Sequence, residues 1–176
     1  KVVKVQIDTE GRFVIADGRL NRRLLTMMSV YAPNLEQIPF LSRLTTQLAT
    51  ITNVDKIIGG DFNMVEDTEP DRSTPPLPGA PIHKIAAGFR DWIGNWELVD
   101  VWRVQRALER EYSFYCGLHS LHVRLDKVLC SVGMGRWFEN TEYLGRTVSD
   151  HSPMLASFHM EDPHPAIPLW RFPVAD

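Results

Sequence analysis

The sequence predicts an α/β fold, and three observations support that prediction. Apolar segments of strand length alternate with segments whose apolar residues recur at helical spacing. The chain has 176 residues, 44% of them hydrophobic, which suits one domain with a sizeable core. The sequence GGDFN at residues 59–63 directly follows a short apolar strand, where α/β folds bind their ligands. We therefore expect one domain over residues 1–160 and a proline-rich extended tail over residues 161–176.

The predicted elements follow in order along the chain. The first third carries strands at residues 1–7, 12–16, 24–31 and 56–58, and a helix at about residues 39–50. The third of these strands is apolar enough to be buried on both faces. The remainder carries an ordered loop at 66–81, a helix at 82–92, a short element at 98–102, a hairpin of strands 112–115 and 122–129, and final strands at 143–148 and 154–158.

Charge and cysteine content limit the classes of function. The net charge of −3 argues mildly against a nonspecific nucleic-acid coat, which is normally basic, but it allows an enzyme that holds phosphate with a few arginines. Cys116 and Cys130 are the only cysteines, so the sequence predicts no disulfide framework and fits a reducing, intracellular compartment. No apolar run reaches membrane-spanning length.

The motif at residues 59–63 carries a carboxylate and an amide two residues apart. If the segment is extended, Asp61 and Asn63 point to the same side. Asp61 could ligate a metal or orient an attacking water, and Asn63 could donate to a phosphate oxygen. Gly59 and Gly60 would let the backbone approach the substrate closely. The alternative is a plain turn after a strand, because Gly and Asp are common turn residues.

A second motif places Asp150 beside His151 near the end of the domain. Adjacent strand residues face opposite ways, so both can serve one site only at the start of a strand or at a bend. His151 could act as acid, base or phosphate donor near neutral pH, and Asp126 is the candidate that orients it. The alternatives are a loop histidine beside a capping Asp150, and an ion pair of Asp126 with Arg124 or Lys127.

Tyr31 adds a hydroxyl at the end of the apolar strand 24–31, free to reach a phosphate. By itself it would be interpreted as an ordinary core tyrosine. Its occurrence together with the Asp61 and Asp150 motifs indicates a site that cleaves phosphodiesters with a hard metal ion. Such a site must deprotonate and aim a water, and must neutralise the charge that develops on phosphorus.

The order and spacing of these motifs resemble the exonuclease–endonuclease–phosphatase superfamily. More narrowly, the chain resembles the apurinic-type endonuclease domain of LINE-type non-LTR retrotransposons. The stretches that carry the resemblance are GRFV at 11–14, VYAPN at 30–34, GDFN at 60–63, DRS at 71–73, LVDVWR at 98–103, EYSFY at 111–115, RLD at 124–126, SDHSP at 149–153 and LWR at 169–171. The resemblance implies a DNase I-like four-layer α/β sandwich, incomplete at its N-terminal side.

The resemblance also implies roles for individual residues. The catalytic positions are Tyr31, Asp61, Asn63, Asp126 and His151, and the phosphate-contacting positions are Ser113 and Ser149. Asp61 would activate the water, Asn63 would hold phosphate, and His151, held by Asp126, would stabilise the pentacoordinate phosphorus. Asp150 would bind Mg²⁺ or Mn²⁺. The loop of Gly117, Leu118, His119, Ser120 and Leu121 would lie against the DNA groove.

The chain departs from the family pattern at its start. The family begins with an Asn-bearing strand and a Gln-Glu-Thr-like motif whose Glu is the main Mg²⁺ ligand, and neither precedes Tyr31. We therefore expect an impaired Mg²⁺-dependent DNA endonuclease, nuclear if it is part of a retroelement protein, whose exposed side favours self-association or a partner chain. The alternatives are a catalytically inactive fragment that acts as a binding or structural protein, and another phosphodiesterase or phosphatase of the same superfamily.

Overall fold

The computed structural model describes residues 1–20, 23–117, 120–146 and 148–160, so the predicted tail at 161–176 lies outside the described residues. The described strands are β1 (Val2–Ile7), β2 (Phe13–Leu20), β3 (Arg23–Tyr31), β4 (Asp55–Asp61), β5 (Leu98–Asp100), β6 (Phe114–Cys116), β7 (Leu121–Val123), β8 (Asp126–Ser131), β9 (Phe138–Tyr143) and β10 (Met154–Phe158). The helices are α1 (Gln37–Leu48), α2 (Pro81–Asn95) and α3 (Val101–Gln105), and a 3₁₀ helix spans Val132–Trp137.

Six strands form the central sheet in the order β1-β2-β3-β4-β8-β5. Strands β3 and β4 are parallel, so their carboxyl ends meet at one edge of the sheet, and β8 starts at that edge because it runs antiparallel to β4. The register sets Tyr31 opposite Asp61, and Asp61 opposite Asp126. Three of the predicted site residues therefore lie side by side across three adjacent strands.

Helices α1 and α2 cover one face of this sheet and form the larger hydrophobic core with it. Helix α1 buries the residues predicted from its spacing, which are Phe40, Leu41, Leu44 and Leu48. They pack on sheet residues such as Ile15, Met28 and Ile58, and each fully buried aliphatic side chain contributes about 1.5–3 kcal/mol. This helical layer fixes the sheet whose edge carries the site.

The opposite face of the sheet is covered only in part. Strands β9 and β10 form a two-stranded sheet; β9 lies beside α3, and β10 packs against β8. No described strand covers β1 to β3 on this face, and Val5, Ile7, Val14 and Met27 are 54%, 71%, 40% and 54% exposed. The prediction that strand 24–31 is buried on both faces is thus wrong, because its second face has no layer above it within the described residues.

Two strand predictions in the second half of the chain also differ from the structure. The predicted strand 122–129 is broken at Arg124 and Leu125, so that β7 pairs with β6 and β8 joins the central sheet. The predicted strand 143–148 lies earlier, at β9, which ends at Tyr143, and the Leu144 N–H that follows donates to Pro153 O at 2.8 Å. The loop at 66–81 is ordered, as predicted, because Asp71 anchors it to buried cations.

Candidate active site

A cleft of about 840 Å³ opens at the edge of the sheet where β3 and β4 end. Its lining brings together five of the predicted site residues, which are Tyr31, Asp61, Asn63, Asp150 and His151. Asp126 lies next to this lining, paired across the sheet with Asp61. Tyr31 is 53% exposed, so it is a surface residue of the cleft and not a core tyrosine.

Asp61 and Asn63 form a tight turn at the end of β4. The backbone N–H of Asn63 donates to Asp61 Oδ1 at 2.8 Å, and Asn63 adopts a left-handed conformation with φ of 48°. The segment is therefore not extended, although the same-side prediction for Asp61 and Asn63 was made for an extended segment. Both side chains still line the cleft, and Asn63 Nδ2 donates one of its two hydrogens to Ala32 O at 2.8 Å. The other hydrogen remains for a ligand.

Gly60 is required by the protein backbone itself, and the expectation that it lets the backbone approach the substrate stays a prediction. Its φ is 144°, and an added Cβ would lie 1.9 Å from the carbonyl oxygen of Val30 in the neighbouring strand β3. Gly59 differs, because a Cβ there would meet only Val128 Cγ2 at 3.5 Å, an ordinary contact. Gly60 thus lets β3 and β4 approach closely just before Tyr31 and Asp61.

His151 and Asp126 form a hydrogen-bonded pair. Nδ1 of His151 lies 2.7 Å from Asp126 Oδ2, and the two side chains are 30% and 21% exposed. The neighbouring cations Arg124 and Lys127 are buried and bind other carboxylates, so Asp126 is not their partner. With Nδ1 engaged, Nε2 is the ring nitrogen that can serve a substrate. The ring of Phe114 packs on the imidazole at 4.9 Å between centroids and restricts its orientation.

The loop that carries Asp150 is shaped by Ser149. The Ser149 hydroxyl accepts a hydrogen bond from the His151 backbone N–H at 3.0 Å and donates to Asp150 Oδ1 at 3.4 Å. The resulting bend lets adjacent residues Asp150 and His151 both line the cleft, as their spacing required. The predicted phosphate contact of Ser149, which is exposed, stays a prediction.

Ser113 does not line the cleft. Its side chain is buried, and its hydroxyl accepts hydrogen bonds from the backbone N–H groups of Leu125 and Asp126, at 2.9 Å each. Of the predicted DNA-contacting loop, Gly117 and Ser120 are exposed at the tip between β6 and β7. Leu121 opens β7 and is half-buried, while Leu118 and His119 lie outside the described residues.

Burial raises the pKa of Asp61, and the nearby Asp126 carboxylate raises it further, although the hydrogen bond from the Asn63 N–H works in the opposite direction. A carboxylate with a raised pKa is a better proton acceptor than an ordinary one. The cleft thus holds one carboxylate suited to a base and one histidine oriented by another carboxylate.

Arg72 and Phe114 line the cleft but were not assigned to the site from the sequence. Arg72 lies within the DRS stretch at 71–73. That stretch supported the family resemblance, and it was the sequence feature from which Arg72 could have been assigned to the site. It forms a bridge with Val123 of β7, which places it at the cleft wall. Phe114 carried no signal, because an aromatic residue in a strand is ordinarily a core residue.

A network of buried charges lies on the helical side of the sheet, next to the site. Asp71 accepts from Arg124 Nε at 2.8 Å, from Lys127 Nζ at 3.3 Å and from Arg103, and Arg124 Nη1 also binds Asp100 at 2.6 Å. Burial by itself would raise the pKa of Asp71, but Lys127 and Arg124 outweigh it and hold that pKa well below its usual range. This network fixes the loop that carries Arg72.

The carboxylates that face the cleft suit a metal ion that keeps several water ligands better than an ion that is coordinated entirely by protein side chains. Asp150 is exposed and Asp61 is half-buried, and both line the cleft. Mg²⁺ keeps several waters and is commonly bound through one or two carboxylates together with substrate phosphate, so this donor set suits it or Mn²⁺. Across the described ranges, no three His, Cys, Asp or Glu side chains cluster as a ligand set.

Comparison with known proteins adds two findings. No protein-family profile matches the chain. The chain is 27% identical over 168 residues to "Transposon TX1 uncharacterized 149 kDa protein" of Xenopus laevis; this match covers 92% of the chain but only 12% of that relative. The chain thus spans about an eighth of the length of this curated relative.

Solved structures of nucleases have the same fold. An AP endonuclease from Archaeoglobus fulgidus matches 90% of this chain and 71% of its own, with a TM-score of 0.74 at 18% identity. An AP endonuclease from Leishmania major gives a TM-score of 0.73 over 88% of this chain and 56% of its own, at 18% identity. A Neisseria 3′ phosphatase bound to a product DNA hairpin gives 0.71 over 90% and 71%, at 16% identity.

These matches confirm the predicted DNase I-like α/β fold. Together with the transposon relative, they confirm the resemblance to a LINE-type endonuclease domain that the sequence motifs indicated. The solved structures are below 20% identical to the chain, so they establish its fold and leave the site to be argued from its own residues. In the part of the chain that the structure describes, no helix is long and apolar enough to cross a membrane.

Proposed function

We propose that the cleft hydrolyses DNA phosphodiesters in a Mg²⁺- or Mn²⁺-dependent nicking reaction of the retrotransposon type. The observation that carries this proposal is the hydrogen-bonded pair of His151 and Asp126 beside the half-buried Asp61 at the sheet edge. In this pair, His151 Nδ1 lies 2.7 Å from Asp126 Oδ2. A base and an oriented histidine on one cleft are what an in-line attack of water on phosphorus requires. The transposon relative and the DNA-processing enzymes of the same fold support DNA as the substrate.

Each side chain has a task in this reaction. Asp61, with its raised pKa, accepts a proton from the attacking water. Asn63 Nδ2 and Arg72 donate to the non-bridging phosphate oxygens, and His151, held by Asp126 through Nδ1, stabilises through Nε2 the charge that develops there. As the water oxygen bonds to phosphorus, the P–O bond to the sugar breaks, and the leaving oxygen takes up a proton from solvent. A bound divalent ion would supply further neutralisation of the charge on the phosphate. Tyr31, beside Asp61 and exposed, presents its hydroxyl to the same phosphate.

We expect weak nicking from this chain alone, because among the described residues only Asp61 and the exposed Asp150 supply carboxylates to the cleft, while Asp126 is engaged with His151. An ion that gives up its waters reluctantly is held loosely by so few charges. Losing one essential electrostatic group costs a factor of about 10²–10³ in rate. If the chain is part of a retroelement protein, we also expect it to work in the nucleus.

A supercoiled-plasmid nicking assay with Mg²⁺ or EDTA tests the proposal, comparing the wild type with His151→Ala. The matched control is His159→Ala, since His159 pairs with Glu139 outside the cleft and is 54% exposed. We expect weak, metal-dependent nicking that His151→Ala abolishes and His159→Ala leaves intact. Robust nicking abolished by His151→Ala would overturn the proposed impairment, and nicking unchanged by His151→Ala would overturn the site.

The same assay separates the two alternatives. DNA binding with no nicking in either metal would favour an inactive fragment that acts as a binding protein. The solved 3′ phosphatase of this fold makes a second reaction worth testing, so a duplex with a 3′-terminal phosphate belongs in the assay. Phosphate release without plasmid nicking, lost in His151→Ala, would favour a phosphatase of the superfamily.

The uncovered face of β1 to β3 supports self-association. Its apolar side chains include Ile7 and Met27, which are 71% and 54% exposed, and an exposed apolar surface of this kind is typical of a site of protein association. A second copy of the chain is the occupant that we expect. Sedimentation equilibrium should show dimers in the wild type and monomers in Met27→Glu, and a monomeric wild type would instead favour a different partner chain.

A further inference from the structure

The chain breaks regular strand geometry between β7 and β8, directly before Asp126. Successive backbone N–H groups of a regular strand point to opposite sides. Here the N–H groups of Leu125 and Asp126 both donate to one atom, Ser113 Oγ, at 2.9 Å each. A serine hydroxyl has two acceptor lone pairs, so both are used by these two amides. The Ser113 hydroxyl therefore replaces the ladder partners that the break removes.

The segment that starts at Ser113 also holds the histidine loop. The carbonyl oxygen of Ser113 accepts from the Ser152 N–H at 2.6 Å, and the Tyr115 N–H donates to Asp150 O at 3.1 Å. A β-bridge joins Phe114 to His151 between these two bonds. Residues 113–115 thus lie between the Asp126 segment and the His151 segment and are bonded to both.

The 2.7 Å bond from His151 to Asp126 joins segments that are 25 residues apart in sequence. A misplacement of either segment by less than an ångström would lengthen this bond beyond hydrogen-bond reach. Ser113 is 1% exposed, so water has little access to replace its hydroxyl at the strand break. The pairing with Asp61 and the Tyr143 hydroxyl, which donates to Asp126 O at 2.6 Å, also hold this segment, but Ser113 Oγ is the atom that binds the N–H groups of both Leu125 and Asp126.

We propose that Ser113 is a positioning residue, whose buried hydroxyl sets Asp126 against His151 and does not contact the substrate phosphate. The inference rests on the proposed function of the cleft, because the pair that it positions is the pair assigned to the reaction. It replaces the phosphate-contacting role that the family resemblance implied for this serine.

Three variants test this role. Ser113→Ala removes the hydroxyl, and Ser113→Thr keeps it. Ser131→Ala is the matched control at the opposite end of β8, where the buried Ser131 Oγ accepts from Lys56 N at 2.9 Å and donates to Val54 O at 2.8 Å. Both Ala variants lose a buried hydroxyl that holds β8, but only Ser113→Ala removes a hydroxyl that binds the backbone of Asp126.

The first readout is the imidazole Nδ1–H resonance of His151 in ¹⁵N-histidine-labelled protein at fixed pH, which needs no enzymatic activity. We expect this downfield, hydrogen-bonded proton in the wild type, Ser113→Thr and Ser131→Ala, and its loss in Ser113→Ala. The second readout is nicking, where Ser113→Ala should lower kcat on the order of 10²-fold with little change in KM, since a group misplaced by about 1 Å costs that much.

The proposal would be overturned in favour of phosphate contact by either of two results. One is a His151 Nδ1–H resonance that persists in Ser113→Ala, and the other is a Ser113→Ala variant with a raised KM and an unchanged kcat. If Ser113→Ala does not fold, Ser113→Cys supplies a weaker acceptor of similar size, and it must weaken the resonance and lower kcat. If the wild type itself does not nick DNA, the proposed function fails. The resonance pattern across the variants still decides the role of Ser113.

Discussion

Two groups of carboxylates beside strand β8 are built in opposite ways. Asp61 and Asp126 occupy the open edge of the sheet, where Asp126 is bound by His151. Asp71 lies fully buried on the helical side and is bound by Arg124, Lys127 and Arg103. Burial raises the pKa of Asp61, whereas buried cations hold the pKa of Asp71 low.

The comparison separates a carboxylate that is ready to react from one that stabilises the fold. A group whose charge is only partly compensated can take up a proton, while a fully paired group is inert and fixes the chain around it. Strand β8 serves both, because Asp126 and Lys127 are adjacent and point to opposite faces of the sheet. The predictions below break or sharpen this division.

The largest expected effect is the loss of stability in Asp71→Asn. Removing this charge leaves Arg124 and Lys127 buried with too little compensation, which should lower the free energy of unfolding by about 3–5 kcal/mol. Because the pKa of Asp71 is depressed, its contribution is present above the ordinary Asp pKa and is lost as pH falls below about 4, so the variant and wild type should converge in acid. Urea unfolding measures both. The exposed Asp91→Asn is the control, and a loss at Asp71 as small as at Asp91 would contradict the structural role.

The converse substitution, Asp126→Asn, should remove activity and leave stability nearly intact. The half-buried pair with His151 contributes at most about 1 kcal/mol to folding. Without the carboxylate, the imidazole of His151 is no longer held in position for catalysis, which should lower the nicking rate by about 10²–10³-fold. Parallel nicking and thermal unfolding experiments measure the two effects. A large fall in stability with unchanged nicking would reverse the assignment of the two groups.

Gly60→Ala tests whether the reactive edge depends on the close approach of β3 and β4. The new Cβ would lie 1.9 Å from Val30 O at a positive φ, so the strands must separate, at a cost of about 1–3 kcal/mol or more. Gly94→Ala in α2, where a Cβ meets nothing within 4 Å, should instead stabilise by about 0.5–1 kcal/mol. Thermal unfolding of both variants measures this contrast, which equal effects would refute.

The smallest expected effect is a gain in stability from Asp61→Asn. The raised pKa of Asp61 means that its charged form disfavours the folded state, so the neutral amide should stabilise the protein at pH 7, by about 0.5–1 kcal/mol. Asn keeps an acceptor for the Asn63 N–H. The gain should vanish near pH 3, where the wild-type carboxyl is protonated in both states. Nicking should be lost in the same variant, and a destabilised Asp61→Asn at pH 7 would contradict the environment described for this carboxylate.

The sequence by itself determined the elements whose signals are local. The spacing of Phe40, Leu44 and Leu48 indicated α1, and alternating strands and helices indicated the α/β class. The motifs around Asp61 and Asp150 were also visible, since polar residues directly after apolar strands stand out by residue type alone.

Tertiary structure decided everything that depends on contacts distant in sequence. The sequence RLDK at residues 124–127 could not show whether Asp126 binds His151 or Lys127. Strand register sets the face of the sheet to which each side chain points, and register depends on the neighbouring strands. The break before Asp126 is stabilised by the hydroxyl of Ser113, which is 13 residues away, and the exposure of Met27 arises from a layer that does not extend over β3 within the described residues. Local pattern determines which residues could react, and packing between segments determines which of them meet.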